Sequence, residues 1–272
     1  MIALLAHGSP DPRHAADVRD LTAAVAQVLS DREVRPAYLD HHGPTLDEVA
    51  VAGRDAGQGG ALPAALEVLP LLLSAGLHAR VDVPALVAGA REVSGGAVNA
   101  RPKLPPRLLA PAVLATIREL VISLGGRLSV PPATPTARAV GASTGAATPA
   151  RDVRIAEGDV DIWPVGVVGA IAGSARPGAA NAFEDLAAVL RPAGVELVLA
   201  NGPDGIGPAA ELLELLGVTS TLVVPLLFAD GVLADRIAAE AGRLDLPVSE
   251  VIGRRAETAE ALANWLARPA GT

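Results

Sequence analysis

Two segments of the chain repeat the same order of elements, and this repeat constrains the fold more than any other feature. Residues 2–29 read IALLAHGSPDPRHAADVRDLTAAVAQVL, and residues 165–190 read VGVVGAIAGSARPGAANAFEDLAAVL. Each begins with an apolar run of strand length, continues through a Gly-Ser loop that contains proline, and ends in an alanine-rich helical stretch. Further along, VVPLLFADGVLADRI repeats VLPLLLSAGLHARVD, with Pro225 aligned to Pro70. We interpret the chain as an internal duplication.

Short apolar runs alternate with helical stretches inside each repeat. Residues 2–6, 34–39 and 66–73 are typical of buried strands, whereas residues 15–29 have helical periodicity and GPTLDEVA is typical of a helix start. Such alternation predicts a parallel sheet with helices on both faces. The expected fold class is therefore α/β, with two three-layer domains that are related by duplication.

A change of composition marks the expected boundary between the two domains. From about Ser123 the chain becomes rich in Pro, Gly, Ala and Thr and loses its periodicity, and the strand pattern restarts after Ala156. We predict an N-terminal domain over residues 1–122, a linker over residues 123–160 and a C-terminal domain over residues 161–272.

Composition excludes several classes of function. A net charge of −8 argues against a general nucleic-acid binder and gives no support for adhesion to an anionic membrane. With no cysteine, the chain has no disulfides, thiolate metal sites or cysteine nucleophiles. The N-terminus has no signal-peptide pattern and no segment has the ~20 apolar residues of a membrane span. We expect a cytoplasmic protein.

Histidines stand at the tips of two predicted strands. His7 directly follows the first strand, and His78 follows the strand that begins at Leu66. Ligands of open parallel sheets bind beyond the carboxyl ends of the strands, and neutral imidazole binds ions such as Fe, Co, Ni or Zn or accepts a proton near neutral pH. The second repeat has Ala172 and Leu233 at the aligned positions. All histidines of the chain lie in the first 78 residues: His7, His14, His41, His42 and His78. The reaction chemistry is therefore expected in the N-terminal half.

The residues around the second strand add further candidates. Asp40 ends this strand and is suited to supply an oxygen ligand or to orient a histidine. His41 and His42 follow it, and we leave open whether they are ligands or surface residues. A single histidine at a strand end is more often a loop or surface group than a ligand. His14, at the start of the first helix, is expected to face solvent.

Other motifs are incomplete. The His-Gly-Ser turn before a helix is compatible with anion binding, but the chain lacks the glycine-rich patterns of nucleotide sites. Ser9 lies near His7, yet the G-x-S-x-G nucleophile elbow is absent. Arg13, Arg19 and Arg80 are the positive charges nearest to the expected site and are candidates to receive an acidic ligand.

Three motifs together resemble the CbiX/SirB family of sirohydrochlorin chelatases, the class II tetrapyrrole chelatases. They are LLAHGSPDPR, YLDHHGPTLDEVA and LPLLLSAGLHARVDVP, which all lie within residues 4–84. The resemblance implies a duplicated flavodoxin-like architecture, with a tetrapyrrole held between the halves. It also implies a lyase, a ferrochelatase or cobaltochelatase that inserts Fe²⁺ or Co²⁺ into sirohydrochlorin for sirohaem or cobalamin. The divalent metal is then a substrate, and no organic cofactor is expected.

The resemblance also assigns roles to individual residues. His7 and His78 match the family histidines that bind the incoming metal and take up pyrrole protons, while Asp40 stands where relatives usually have a glutamate ligand. Because the aspartate side chain is shorter than that of glutamate, His41 or His42 are alternatives to Asp40 as the metal ligand. Sirohydrochlorin is a polycarboxylate, and the candidates to bind it are Ser9, Arg13 and Arg80.

The second half, without the histidines, is expected to form the other wall of the cleft. There it would replace the partner subunit that single-domain relatives recruit, which is compatible with a monomer. Two alternatives stay open: a non-catalytic protein that binds a tetrapyrrole or metal, and a purely structural α/β domain. The sequence does not separate iron from cobalt.

Overall fold

A computed structural model describes residues 1–56, 65–73, 81–125, 164–172 and 183–269. The strands are β1 (Ile2–Ala6), β2 (Val34–Tyr38), β3 (Leu66–Pro70), β4 (Val98–Ala100), β5 (Val165–Ile171), β6 (Val195–Asn201) and β7 (Ser220–Pro225). The helices are α1 (Pro12–Val28), α2 (Leu46–Ala56), α3 (Val83–Ser94), α4 (Ala110–Ser123), α5 (Glu184–Leu190), α6 (Ile206–Leu215), α7 (Val232–Arg243) and α8 (Ala256–Ala267). Residues 126–163, which hold most of the expected linker, lie outside the described residues.

The strands form two parallel sheets with matching topology. The first has the order β2-β1-β3-β4 and the second the order β6-β5-β7. Leu5 of β1 pairs with Pro70 at the end of β3, and Ala170 of β5 pairs with Pro225 at the end of β7. In place of a fourth strand, the second sheet has a parallel bridge between Val223 and Val248. The predicted duplication and α/β fold class are confirmed.

Helices from both halves fill the space between the two sheets. One continuous apolar core contains side chains of β1 and β5 together with α1, α4, α5 and α8. The outer face of the first sheet packs on α2 and α3, and that of the second on α6 and α7. Alternation along β1 explains this division, because Ile2, Leu4 and Ala6 face the shared core while Ala3 and Leu5 face the outer helices.

Local sequence signals explain where the site's helices begin. The side chain of Asp11 caps α1 by accepting from the Arg13 N–H, and Pro12 occupies the first helical turn. The helix therefore begins three residues before the expected position 15. Before α2, Thr45 and Glu48 form a capping box, in which each side chain accepts from the backbone N–H of the other.

The last helix of each half packs against the other half. Helix α4 contacts α5 and β7, and α8 contacts α1. Beside α8, Arg101 donates to the carbonyl oxygens of Trp265 and Arg268, and the Trp265 indole donates to the Pro102 carbonyl oxygen. The two halves are thus joined through core helices as well as through the chain. None of the helices in the described ranges is long and apolar enough to cross a bilayer.

Candidate active site

The hydrogen-bond ladder between β1 and β2 continues past both strands and brings His7 and Asp40 together. The Leu39 N–H donates to the Ala6 carbonyl oxygen over 2.9 Å, and the Asp40 N–H donates to the His7 carbonyl oxygen over 3.0 Å. Gly8 follows with φ +92°, and a Cβ atom there would overlap the Asp40 carbonyl oxygen. Only glycine fits this close approach, which explains the glycine after His7.

His7 is half-buried at this edge. Its Nδ1 lies 3.2 Å from the Gly8 carbonyl oxygen. A hydrogen bond to this carbonyl favours the tautomer with the proton on Nδ1, in which Nε2 carries the lone pair. In that form the imidazole is suited to bind a metal ion or to accept a proton through Nε2.

The Asp40 carboxylate is 69% exposed and folds back on its own loop. One oxygen accepts from the His41 N–H over 2.7 Å, and the other lies 3.6 Å from His41 Nε2. His41 has a left-handed backbone with φ 65°, and the Gly43–Pro44 peptide is cis. The loop thus exposes a carboxylate and an imidazole side by side.

His14 and His42 form a second imidazole pair next to His7. Among the described residues, His14 Nδ1 and His42 Nε2 are buried and have no hydrogen-bond partner. The His42 ring meets the Tyr38 ring edge-on at 5.5 Å. Burial lowers the pKa of His14, and the nearby His42 and His7 rings lower it further. The expectation that His14 faces solvent is therefore wrong. The position of His14 in the helix, two residues after Pro12, does not indicate that the side chain is buried, because the loop after β2 covers it.

His78 and Arg80 fall within residues 74–80, which lie outside the described residues. Their predicted roles stay predictions. Among the residues that the structure describes, no three His, Asp or Glu side chains lie close enough to hold a metal ion together. His7 and Asp40 lie together at this edge through their backbone hydrogen bond, and their role as ligands stays a prediction.

Arg13 and Ser9 lie in the loop and helix start after β1, where this edge meets the second half. The Arg13 guanidinium, 46% exposed, pairs with Asp11 at 2.6 Å and with Asp235 of α7 at 2.5 Å. The hydrogen bonds that Arg13 donates to these carboxylates, the one to Asp235 foremost, raise the pKa of Arg13. Ser9 Oγ accepts from the Asp11 N–H over 3.2 Å. Arg13 thus already binds two carboxylates of the protein itself, and its expected role toward the substrate stays a prediction.

A more buried ion pair lies behind this contact. The Asp17 carboxylate, 9% exposed, accepts from the Arg254 guanidinium at 3.1 Å and from the Asp230 N–H at 2.7 Å. Arg254 also pairs with the Asp230 carboxylate at 2.9 Å. Helix α1 is thus tied to the loop after β7 and to the segment before α8 across the two halves.

The second sheet lacks the side chains that meet at the first. Ile171 aligns with Ala6 through its pairing in the central strand, so Ala172 occupies the place of His7. The Gly202 N–H donates to the Ile171 carbonyl as Leu39 does to Ala6, so Pro203 occupies the place of Asp40. Neither an imidazole nor a carboxylate stands at this pair of positions.

Comparison with known proteins matches residues 1–119 to the CbiX family. No curated protein matches the chain. Three similar solved structures share the fold. SirB from Bacillus subtilis subspecies spizizenii in complex with cobalt is 18% identical with a TM-score of 0.62, over 97% of this chain and 92% of that one. SirB from Bacillus subtilis with Fe³⁺ is 18% identical with a TM-score of 0.65, over 99% and 95%.

The third is CbiX, described as the terminal enzyme for biosynthesis of siroheme in denitrifying bacteria. It is 19% identical with a TM-score of 0.61, and the alignment covers 97% of each chain. These proteins extend the similarity in fold over both halves of the chain. The family match over residues 1–119 confirms the resemblance, and this part of the chain belongs to the CbiX family.

Proposed function

We propose that this protein is a sirohydrochlorin chelatase, a lyase that inserts Fe²⁺ or Co²⁺ into sirohydrochlorin. One observation carries the proposal: the ladder beyond β1 and β2 sets His7 beside Asp40 at the carboxyl edge of a CbiX-family sheet. The corresponding pair in the second half is Ala172 and Pro203. A duplicated scaffold with one chemically equipped edge supports a single reaction centre in the N-terminal half.

Metal insertion removes two N–H protons from the macrocycle as the M²⁺ ion binds to its nitrogens. An imidazole near neutrality is suited to accept such a proton, and an imidazole with a carboxylate binds a borderline divalent ion without the tightness of a thiolate. We assign proton uptake and metal binding to His7 and His78, with Asp40 as an oxygen ligand. The Asp40 oxygen that does not accept from the His41 N–H is the one available to the ion without loss of that bond.

The substrate is a polycarboxylate, and the protein carries a net charge of −8. A local positive rim is therefore needed to receive it. We propose Arg13, Arg80 and Ser9 for this role. Because Arg13 is paired with Asp11 and Asp235, a substrate carboxylate would have to replace Asp235 or share the guanidinium with it.

The domain organisation follows the same proposal. Residues 1–122 form the domain that carries the reaction chemistry, and residues 123–160 form the linker between the two domains. Residues 161–272 form the second wall of the substrate cleft in place of a partner subunit, which is compatible with a monomer. Nitrogen and oxygen ligands suit both iron and cobalt. The similar SirB structures hold cobalt in one case and Fe³⁺ in the other. Both ions are therefore retained as substrates.

Anaerobic incubation of the full chain with sirohydrochlorin and either Fe²⁺ or Co²⁺ tests the proposal. Visible absorbance would be followed against metal-only controls for the wild type, His7→Ala, His78→Ala, Asp40→Ala and His41→Ala. Asp204→Ala is the matched control, because it removes an exposed carboxylate beside Pro203 at the corresponding edge of the second sheet. We expect acceleration by the wild type and the control, and its loss in His7→Ala and His78→Ala.

The assay also separates the alternatives. Spectral shifts on mixing without a rate above background would refute catalysis and favour a tetrapyrrole-binding protein. Full activity in both His7→Ala and His78→Ala would refute the assignment of the site. If Asp40→Ala is active and His41→Ala is not, the oxygen ligand assignment is replaced by the neighbouring imidazole.

A further inference from the structure

Lys103 is the only lysine of the chain, and it lies at the carboxyl edge of the first sheet. Its Nζ donates to the Leu73 carbonyl oxygen over 2.5 Å. Leu5 of β1 pairs with Pro70 of β3, and beyond this pair His7 lies two residues and Leu73 three residues further along neighbouring strands. The ammonium group is therefore placed at the same sheet edge as the proposed reaction centre, one strand away from His7.

This ammonium group lacks a compensating charge in the part of the chain that the structure describes. No carboxylate of the described residues forms an ion pair with it, whereas Arg13 pairs with two carboxylates and Arg254 with three. Arg101, two residues earlier, faces the Glu67 carboxylate and the end of α8 instead. Lys103 is half-buried, and this burial lowers the pKa of its amine.

A half-buried cation is unfavourable unless an anion or several hydrogen bonds replace its hydration. Lysine has three N–H donors, and the Leu73 carbonyl accepts one of them. The remaining donors and the uncompensated charge suit a carboxylate, to which charge-assisted hydrogen bonds are short and strong.

We propose that Lys103 binds a carboxylate group of the tetrapyrrole substrate at this edge of the sheet. The inference rests on the proposed function for the identity of the ligand, but it concerns binding and needs no turnover. It assigns to the chain a substrate contact outside the motifs that identified the family resemblance. It also adds a further positive charge to the proposed rim, on a different element from Arg13.

Titration of the full chain with metal-free sirohydrochlorin, followed by its absorbance and fluorescence, tests the proposal. Lys103→Met removes the charge, and Lys103→Arg keeps it. The control is Arg54→Met, which removes a cation at the amino edge of the sheet, where Arg54 lines a small cavity with Met1 and Leu66. A parallel titration uses the methyl ester of sirohydrochlorin, which keeps the ring and loses the carboxylates.

We expect Lys103→Met to raise Kd for the acid about tenfold, the loss of one charge-assisted hydrogen bond. Binding of the ester should not change, and Lys103→Arg and Arg54→Met should bind the acid nearly as the wild type does. Unchanged acid binding in Lys103→Met, or no binding by the wild type, would overturn the proposal. An equal loss for acid and ester would also overturn it, because Lys103 would then act by holding Leu73. Thermal unfolding of each variant, with Lys103→Gln as a second neutral replacement, excludes unfolding as the cause.

The two proposals fail in different ways. If the wild type binds the macrocycle through Lys103 but does not insert metal, the chelatase assignment is wrong and the binding site stands. If insertion is observed and Lys103→Met changes neither Kd nor KM, the chelatase stands and the binding site is wrong.

Discussion

The Asp40 N–H donates to the His7 carbonyl oxygen over 3.0 Å, and this bond lies beyond the last residue of both strands. The backbone hydrogen bonds of the sheet therefore set the spacing of these two residues, and this spacing does not depend on loop packing. At the matching place in the second half stand Ala172 and Pro203, and proline has no N–H to donate. The two halves thus differ in their backbone bonding at this edge as well as in their side chains.

Replacing Gly8 tests how tightly this edge is built. Gly8→Ala would force a left-handed residue with φ +92° to carry a Cβ atom against the Asp40 carbonyl. We expect the free energy of unfolding to fall by about 3 kcal/mol, since the left-handed strain and the steric overlap add. Urea denaturation measures the loss.

Gly95→Ala is the control for this prediction. Gly95 also has a left-handed backbone, with φ +62°, but no atom lies within 4 Å of a Cβ added there. Its replacement should cost only the conformational strain, about 1 kcal/mol. If both alanine variants lose the same stability, the close approach of Gly8 to Asp40 makes no contribution.

The ion pair between Arg254 and Asp17 should be a principal link between the two halves. Arg254→Met leaves the Asp17 carboxylate, 9% exposed, with the Asp230 N–H as its one remaining hydrogen-bond donor among the described residues. We expect the free energy of unfolding to fall by about 2 kcal/mol, less than for a fully buried pair because Arg254 is 37% exposed. Arg243→Met is the control, because it breaks a pair with Glu240 in which the arginine is 66% exposed. Exposed ion pairs contribute little to stability, so the free energy of unfolding should change little. Equal melting curves for the two variants would contradict the prediction.

The sequence predicted the features that depend on local pattern. The apolar runs of β1 and β5, the repeated Gly-Ser loops and the matching prolines Pro70 and Pro225 were sufficient for the fold class and the duplication. The strand expected over residues 66–73 ends at Pro70, because its neighbour β1 has ended at Ala6 and offers little further pairing. The end of a strand depends on where its neighbouring strand ends, and the sequence of the strand alone does not determine that position.

The features that depend on tertiary contacts were not predictable in this way. The packing of α4 and α8 on opposite halves has no signature in either helix, because an apolar face does not specify which surface covers it. The burial of His14 depends on the loop after β2. Asp235, which pairs with Arg13, and Asp230, whose N–H donates to Asp17, lie more than two hundred residues away from their partners. An arginine near a site was a reasonable candidate for an acidic ligand, but its resident carboxylates appear only in the folded chain.

His14 should make the stability of the protein depend on pH. Burial lowers its pKa below the ordinary value of 6.5, and the His42 and His7 rings act in the same direction, against Asp17 and Asp11. Between the lowered pKa and 6.5 the unfolded chain binds the proton and the folded chain does not, so stability falls as the pH decreases through this window. In His14→Gln this part of the loss should vanish.

Urea denaturation at about pH 7.5 and about pH 5 measures how much the free energy of unfolding changes between the two pH values, for the wild type and for His14→Gln. His41→Gln is the control, because its imidazole lies in the exposed part of the neighbouring loop. The same decrease in all three proteins would show that carboxylates, and not His14, account for the pH dependence.

Asp235 should compete with the substrate for Arg13 if Arg13 receives a macrocycle carboxylate. Asp235 holds the guanidinium through two hydrogen bonds, at 3.0 and 2.5 Å. Asp235→Asn should therefore tighten binding of metal-free sirohydrochlorin by about threefold, while Arg13→Met should weaken it by about tenfold. The double variant should bind as Arg13→Met does, because Asp235 acts only through the arginine, and a double-mutant cycle of the measured Kd values exposes this coupling. If Asp235→Asn weakens binding instead, and the double variant is weaker than either single one, the pair aligns the two halves and Arg13 does not contact the substrate.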